Sequence, residues 1–171
     1  MSGCSGGGTT RTGVPGAHMA GPAAEVHVDQ AVIDAKPQPW NLKTPESAVR
    51  SYLDWTTYAY RIAQSDAAQS VMSANEGVRV DSYVQYNIEK KRLLAQKLGT
   101  IAFGTPSSSS TSTLVPAKEN WTYSYLSIDT GNKTLGGPYS VSYDTTYTVV
   151  KGKNGEWVVD SVKAQPHGTL K

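Results

Sequence analysis

The chain has 171 residues, 38% of them hydrophobic and 18% charged, which is apolar material for one packed domain and a tail and too much for a wholly disordered chain. Sixteen Lys and Arg against fourteen Asp and Glu leave a net charge of +2, and with no basic run to concentrate it the chain lacks the electrostatic footprint of a nucleic-acid binder. A single cysteine, Cys4, excludes an intrachain disulfide framework or a cysteine-based metal site, and no run reaches the roughly eighteen apolar residues of a membrane helix.

Residues 1–43 read as a flexible tether followed by an extended arm. The first twenty-one are a Gly, Ser and Thr mixture with almost nothing to bury. Ser2-Gly3-Cys4 ahead of small residues resembles the end of a bacterial lipoprotein signal, whose cysteine carries the lipid. The apolar segment that precedes such a cysteine is not in the sequence, so this reading takes Met1 to stand in place of a removed leader. Cys4 is then the lipid anchor and the domain extracytoplasmic, tethered to the cell membrane; the alternative is a cytoplasmic protein with a free thiol. Glu25 to Ile33 alternates enough for a short extended segment, the prolines of Lys36-Pro37-Gln38-Pro39 keep the chain extended, and Trp40 is expected to anchor the arm.

The domain is expected over residues 44–164, with 165–171 a tail. Thr44-Pro45-Glu46 is a helix opening, with an oxygen-bearing cap, proline at the first helical position and an acid in the first turn. Ala48, Val49, Tyr52, Leu53, Thr56, Ala59, Tyr60 and Ala63 recur at helical spacing to about Gln64, forming one apolar stripe. A short second helix follows Ser65-Asp66 and ends at Asn75-Glu76-Gly77. A third is predicted from Ser82 to Leu98, with Gly99 as its stop and Glu89 to Arg92 as a solvated face.

Thr100 to Phe103 then reads as a first strand and the run TPSSSSTST, residues 105–113, as a mobile loop. Three antiparallel strands follow between Glu119 and Ala164. Trp121, Tyr123 and Tyr125 alternate on one, and Tyr139, Val141, Tyr143, Thr145, Tyr147 and Val149 share one face of the next. The turns are at Asp129-Thr130-Gly131-Asn132 and Lys151 to Gly155. Trp157 on the last strand should pack against the helices, at a cost of about 3 to 5 kcal/mol on truncation. Two sequons, at Asn120 and Asn132, matter only in a secreted eukaryotic protein, and the helices argue against a carbohydrate-binding sandwich.

Helices followed by an antiparallel sheet make an α+β fold in which the helices cover one sheet face. That order, opened by TPESAVRSYLDWTTYAYRIAQSDAAQSVMS and closed by TYTVVKGKNGEWVVDSVKA, resembles the NTF2-like superfamily, and more narrowly the NTF2-like lipoproteins of high-GC Gram-positive bacteria. The resemblance covers about Thr44 to Ala164. It implies a curved sheet wrapped on a long helix as a cone with a pocket at its wide end, and no particular reaction.

Enzymes of that superfamily place an Asp or His inside the cone, but His18, His27 and His167 all fall outside the expected domain. No histidine base, metal site or cofactor is therefore expected. The carboxylates left as catalytic candidates are Asp54, beside Trp55, and Asp144; the simpler reading has Asp54 in solvent and Asp144 on the outer sheet face. Tyr52, Trp55, Tyr60, Tyr123 and Tyr143 are the candidate pocket residues. The reading preferred is a non-enzymatic module that binds a small molecule or protein partner, with no nucleic acid, membrane contact only through Cys4, and a homodimer left open. The alternative is a small carboxylate-based cyclase, isomerase or hydrolase.

Overall fold

The computed structural model describes residues 25–167. Its elements are α1 (Gln30–Asp34), α2 (Pro45–Ile62), a 3-10 helix (Ser65–Val71), α3 (Ala74–Glu89), and strands β1 (Arg92–Phe103), β2 (Ser107–Ser108), β3 (Ser112–Ser127), β4 (Thr134–Lys151) and β5 (Trp157–His167). The strands form one antiparallel sheet in the order β1-β3-β4-β5, with β2 extending the β1 edge alongside β3. The fold is α+β, and α2 and α3 pack on one sheet face. Among the described residues no helix is long and apolar enough to cross a membrane.

α2 starts where the sequence marks it. Thr44 accepts from the Ser47 amide while the Ser47 hydroxyl accepts from the Thr44 amide, closing a capping box, with Pro45 in the first turn. The stripe Ala48, Val49, Tyr52, Leu53, Thr56 and Ala59 is buried against Val115, Val149 and Val159 of the sheet. Tyr58, on the other side of α2, is buried too, because the segment before the domain lies over it. The Tyr58 hydroxyl donates to the Ile33 carbonyl at 2.5 Å and Trp55 Nε1 to the Gln38 carbonyl at 3.1 Å. Trp40 meets Trp55 edge-on with ring centres 5.4 Å apart. The expected extended run to Ile33 stops at Asp29, where α1 begins. Val26 and Val28 pack on Leu93, Leu126 and Ile128, so the arm is part of the folded body from residue 25.

The third helix differs from its predicted limits at both ends. Asn75-Glu76-Gly77 is its first turn, not a terminator: Ser73 caps α3 by accepting from the Glu76 amide at 3.3 Å. Asp81 lies inside it. α3 stops at Glu89 and the chain reverses through Lys91 in the left-handed region (φ 53°), after which Arg92 to Leu98 is strand and not helix. Eleven of the twelve residues of β1 pair with β3, the ladder skipping Gly99, and it satisfies an edge of β3 that would otherwise be open. The serine-rich run likewise forms a tight hairpin, with Ser107 and Ser108 paired to Leu114 and Thr113.

β4 keeps the predicted alternation, with Val141, Thr145, Tyr147 and Val149 buried toward the helices. On β5 the register shifts between Thr148 and Val149, so that Thr148 faces Ser161, Val149 faces Val159 and Asp160 is the extra residue of a bulge. The bulge lets Val159 and Val162 share the inner face at odd spacing. It also docks α3, since Ser73 Oγ donates to Asp160 Oδ1 at 2.7 Å and the Ser73 amide to the Val159 carbonyl at 2.9 Å. Trp157 is half-buried at the margin of the core. The strand runs on to His167, which brings a histidine into the domain and extends the sheet past residue 164.

Candidate functional site

Between α2, α3 and the inner face of β1, β3, β4 and β5 lies a cavity of about 370 Å³. Three rows of side chains converge on it. From α2 come Tyr52, Leu53, Thr56 and Tyr60, at the three- and four-residue spacing of one helix face. β3 contributes Glu119, Trp121, Tyr123 and Tyr125, and β4 Val141, Tyr143, Thr145 and Tyr147. Arg79 and Tyr83 of α3 complete the wall.

One buried carboxylate, Glu119, lines this space, and a second, Glu76, is bonded to its wall residues Tyr52 and Arg79. Glu76, 1% exposed, receives Arg79 Nε at 3.0 and 2.9 Å on its two oxygens and also the Tyr52 hydroxyl, and Arg79 donates a further bond to Tyr52 at 2.9 Å. The Glu76 hydrogen bond holds the Arg79 guanidinium above its ordinary range. Glu119, 4% exposed, accepts from Tyr147 Oη at 2.5 Å and from Trp121 Nε1 at 2.7 Å. Among the described residues no Lys, Arg or His pairs with it. Burial is the main cause that keeps the phenols protonated, with Glu119 adding to it at Tyr147, and Tyr60 and then Glu76 at Tyr52. Tyr147 and Tyr52 are held well above the usual tyrosine value, and burial pushes Tyr60 up to about 12. Tyr83 and Tyr143 are raised, chiefly by burial. Thr145, 3% exposed, has a hydroxyl with no hydrogen-bond partner among the described residues.

Toward the rim the aromatics pack on one another. Tyr60 and Tyr83 meet edge-on at 5.3 Å, Tyr123 lies 5.3 Å from Tyr139, and the Arg92 guanidinium sits 3.7 Å above the Tyr125 ring. Of the five pocket residues expected from sequence, Tyr52, Tyr60, Tyr123 and Tyr143 line this one space. Trp55 does not, because it faces the arm from the far side of α2. The two carboxylates singled out as possible bases are also elsewhere. Asp54 is exposed and borders a groove of about 700 Å³ between α1, α2 and β1, where partial desolvation raises its carboxyl against the lowering effect of Arg50. Asp144 lies on the outer sheet face, bonded to His167 Nε2 at 2.5 Å and Lys118 Nζ at 3.2 Å, and the His167 bond followed by that to Lys118 lowers its pKa. The groove beside Asp54 is the larger space, but the tyrosine-lined cavity is where buried polar groups converge, and that is the mark of a specific site.

Sequence reasoning missed Glu119, Thr145, Glu76 and Arg79. The first was readable: it is in phase with Trp121 and Tyr123, so the alternation that buries them buries it. The second was placed on the right face without its unpaired hydroxyl being foreseeable. Glu76 stands three residues after Ser73, the spacing of a capping box, a signal that competes with the stop suggested by Asn75-Glu76-Gly77. Among the described residues no cluster of three or more His, Cys, Asp or Glu could hold a metal ion.

No family model matches the chain, and no curated protein matches it. Among solved structures it is similar to the crystal structure of the intermembrane space region of the chloroplast protein ARC6, with a TM-score of 0.61 and 14% identity over 77% of this chain and 100% of that chain. At that identity the likeness concerns the fold alone, the α+β arrangement described above.

Proposed function

We propose that the chain is an NTF2-like cone that binds a small ligand in its tyrosine-lined cavity and does not turn it over. The observation that carries the reading is the cavity: about 370 Å³ left open between helices and sheet, with Glu119, Thr145 and tyrosine hydroxyls directed at one space. That volume is at the small end of ligand pockets, and a mostly aromatic wall with a few convergent polar groups is their usual composition. Binding is favoured over catalysis because Asp54 and Asp144 lie outside the cavity, and both oxygens of Glu119 are tied to fixed wall side chains. The domain is held at the outer side of a cell membrane by a lipid on Cys4, a residue that lies outside the described ones.

The test is a thermal-shift screen of amines, carboxylic acids, sugars and apolar alcohols, run on the wild-type chain and on Ala164→Phe, which adds bulk at the exposed β5 edge of the cavity. Compounds of at least one class should raise Tm in the wild type and lose the effect in the variant. A screen in which no class shifts Tm, or in which Ala164→Phe changes nothing, overturns the reading. For the anchor, mass spectrometry of the Cys4 peptide from the membrane fraction should show a lipid adduct, and an unmodified thiol there would refute it.

A further inference from the structure

We infer that the ligand of this cavity is a small organic cation, an amine or quaternary ammonium on a compact apolar body, held by the Glu119 carboxylate and the surrounding aromatic faces. The inference rests on the ligand-binding reading above and narrows it to one chemical class.

The two buried carboxylates differ in one respect. Glu76 carries its counter-charge with it, since Arg79 clasps both of its oxygens. Glu119 is as deeply placed, yet its partners are a phenol and an indole, both neutral, and among the described residues no cation pairs with it. Neutral donors satisfy its oxygens as acceptors but leave its charge uncompensated in a desolvated place, an arrangement that favours an incoming positive charge. Trp121, Tyr60, Tyr123 and Tyr143 border the same space, and the negative faces of aromatic rings attract a cation wherever water is excluded.

Thr145 adds an independent observation. Its hydroxyl is buried, the residue borders the cavity, and the hydroxyl has no hydrogen-bond partner among the described residues. Glu119 pairs across the ladder with Tyr143, and Thr145 is the next residue of β4 on the same face, so the unpaired oxygen is a diagonal neighbour of the uncompensated charge. An ammonium group, which has donors and no acceptor, suits that pair. An anion does not. Among the described residues the one cation lining the cavity is Arg79, already engaged with Glu76, and a carboxylate or phosphate would have to draw it away while lying near Glu119.

Calorimetric or NMR titration with four probes tests this: 2-phenylethylamine, tetramethylammonium, 2-phenylethanol and 3-phenylpropionate. The amine should bind at least about tenfold more tightly than the alcohol, which matches its shape without the charge, and the acid should bind more weakly than either. Glu119→Gln should remove the preference for the amine while leaving alcohol binding in place. Thr145→Val has no hydrogen bond to lose in the free protein, so it keeps the inference testable if the Glu119 variant fails to fold. It should weaken the amine by about fivefold and leave tetramethylammonium, which has no N–H, unchanged. Equal binding of amine and alcohol overturns the cation inference while the cavity reading stands. So does a Thr145→Val variant that affects both cations alike or neither. If none of the four probes binds, the cation inference falls as well, and whether the cavity binds anything is then decided by the wider screen.

Discussion

Replacing Arg79 should cost this protein more stability than replacing Glu76, the residue it neutralises. The Glu76 carboxylate is 1% exposed and accepts from Arg79 Nε at 3.0 and 2.9 Å and from the Tyr52 hydroxyl. Arg79→Met keeps most of the aliphatic length but leaves the carboxylate buried with Tyr52 as its remaining side-chain partner. For a fully buried pair that loss is about 3 to 5 kcal/mol. The Arg79 side chain is 52% exposed, so water can reach the vacated place, and a cost of about 2 to 3 kcal/mol follows. Glu76→Gln removes the buried charge itself; the amide oxygen still accepts one bond and the freed guanidinium is half in water, which costs about 1 to 2 kcal/mol. Tyr52→Phe and Arg79→Met share Glu76, so together they should depart from additivity by at least about 0.5 kcal/mol. Urea unfolding followed by far-UV circular dichroism gives each value, with the m-value checking that the transition stays two-state. An Arg79→Met loss under about 0.5 kcal/mol, or a Glu76→Gln loss larger than that of Arg79→Met, would refute the reasoning.

At alkaline pH, Tyr52, Tyr60 and Tyr147 have folded-state pKa values above the unfolded one of about 10, with Tyr60 near 12. Their contribution is complete below about pH 10. It is lost as pH rises toward 12 and beyond, because the unfolded chain sheds these protons first, at about 1.4 kcal/mol per pH unit for each tyrosine still protonated in the fold. Near-UV tyrosinate absorbance should therefore rise together with loss of dichroism, whereas full titration of all tyrosines in a native fold would contradict the burial described. Trp157→Ala should cost about 1 to 3 kcal/mol by urea titration, below the range for a fully buried indole, since Trp157 is half-buried with Lys151 Nζ 4.2 Å over its ring; no measurable loss would contradict its packing on the core. Gly131→Ala meets both a positive φ of 71° and a new Cβ 2.5 Å from the His27 carbonyl. Faster proteolysis between residues 25 and 43 is expected, and unchanged protection would show that the arm does not depend on that contact.

What the sequence by itself determined were the elements whose signals are local. Thr44-Pro45 and the stripe of α2 specify that helix from its own capping chemistry and 3.6-residue period. The two-residue alternation of β4 and the Gly and Asn turns on either side specify the hairpins. Where the signal is not local the reading failed. α2 and α3 both end through non-glycine residues in the left-handed region, Ala63 and Lys91, so neither end was written as a glycine stop. Arg92 to Leu98 has enough helix-compatible residues to continue α3, and it is strand because β3, some thirty residues further on, has an edge to satisfy. The bulge at Asp160 belongs to the β4–β5 pairing and to the docking of Ser73, neither visible within β5 alone.

The site divides in the same way. That tyrosines would line the inner face followed from alternation. That, among the described residues, Glu119 stands without a counter-charge while Glu76 holds Arg79, and Thr145 is left without a partner, depends on which side chains four strands and two helices bring together. Charge pairing and hydrogen-bond satisfaction are properties of neighbours in space, and tertiary structure alone decides who those neighbours are.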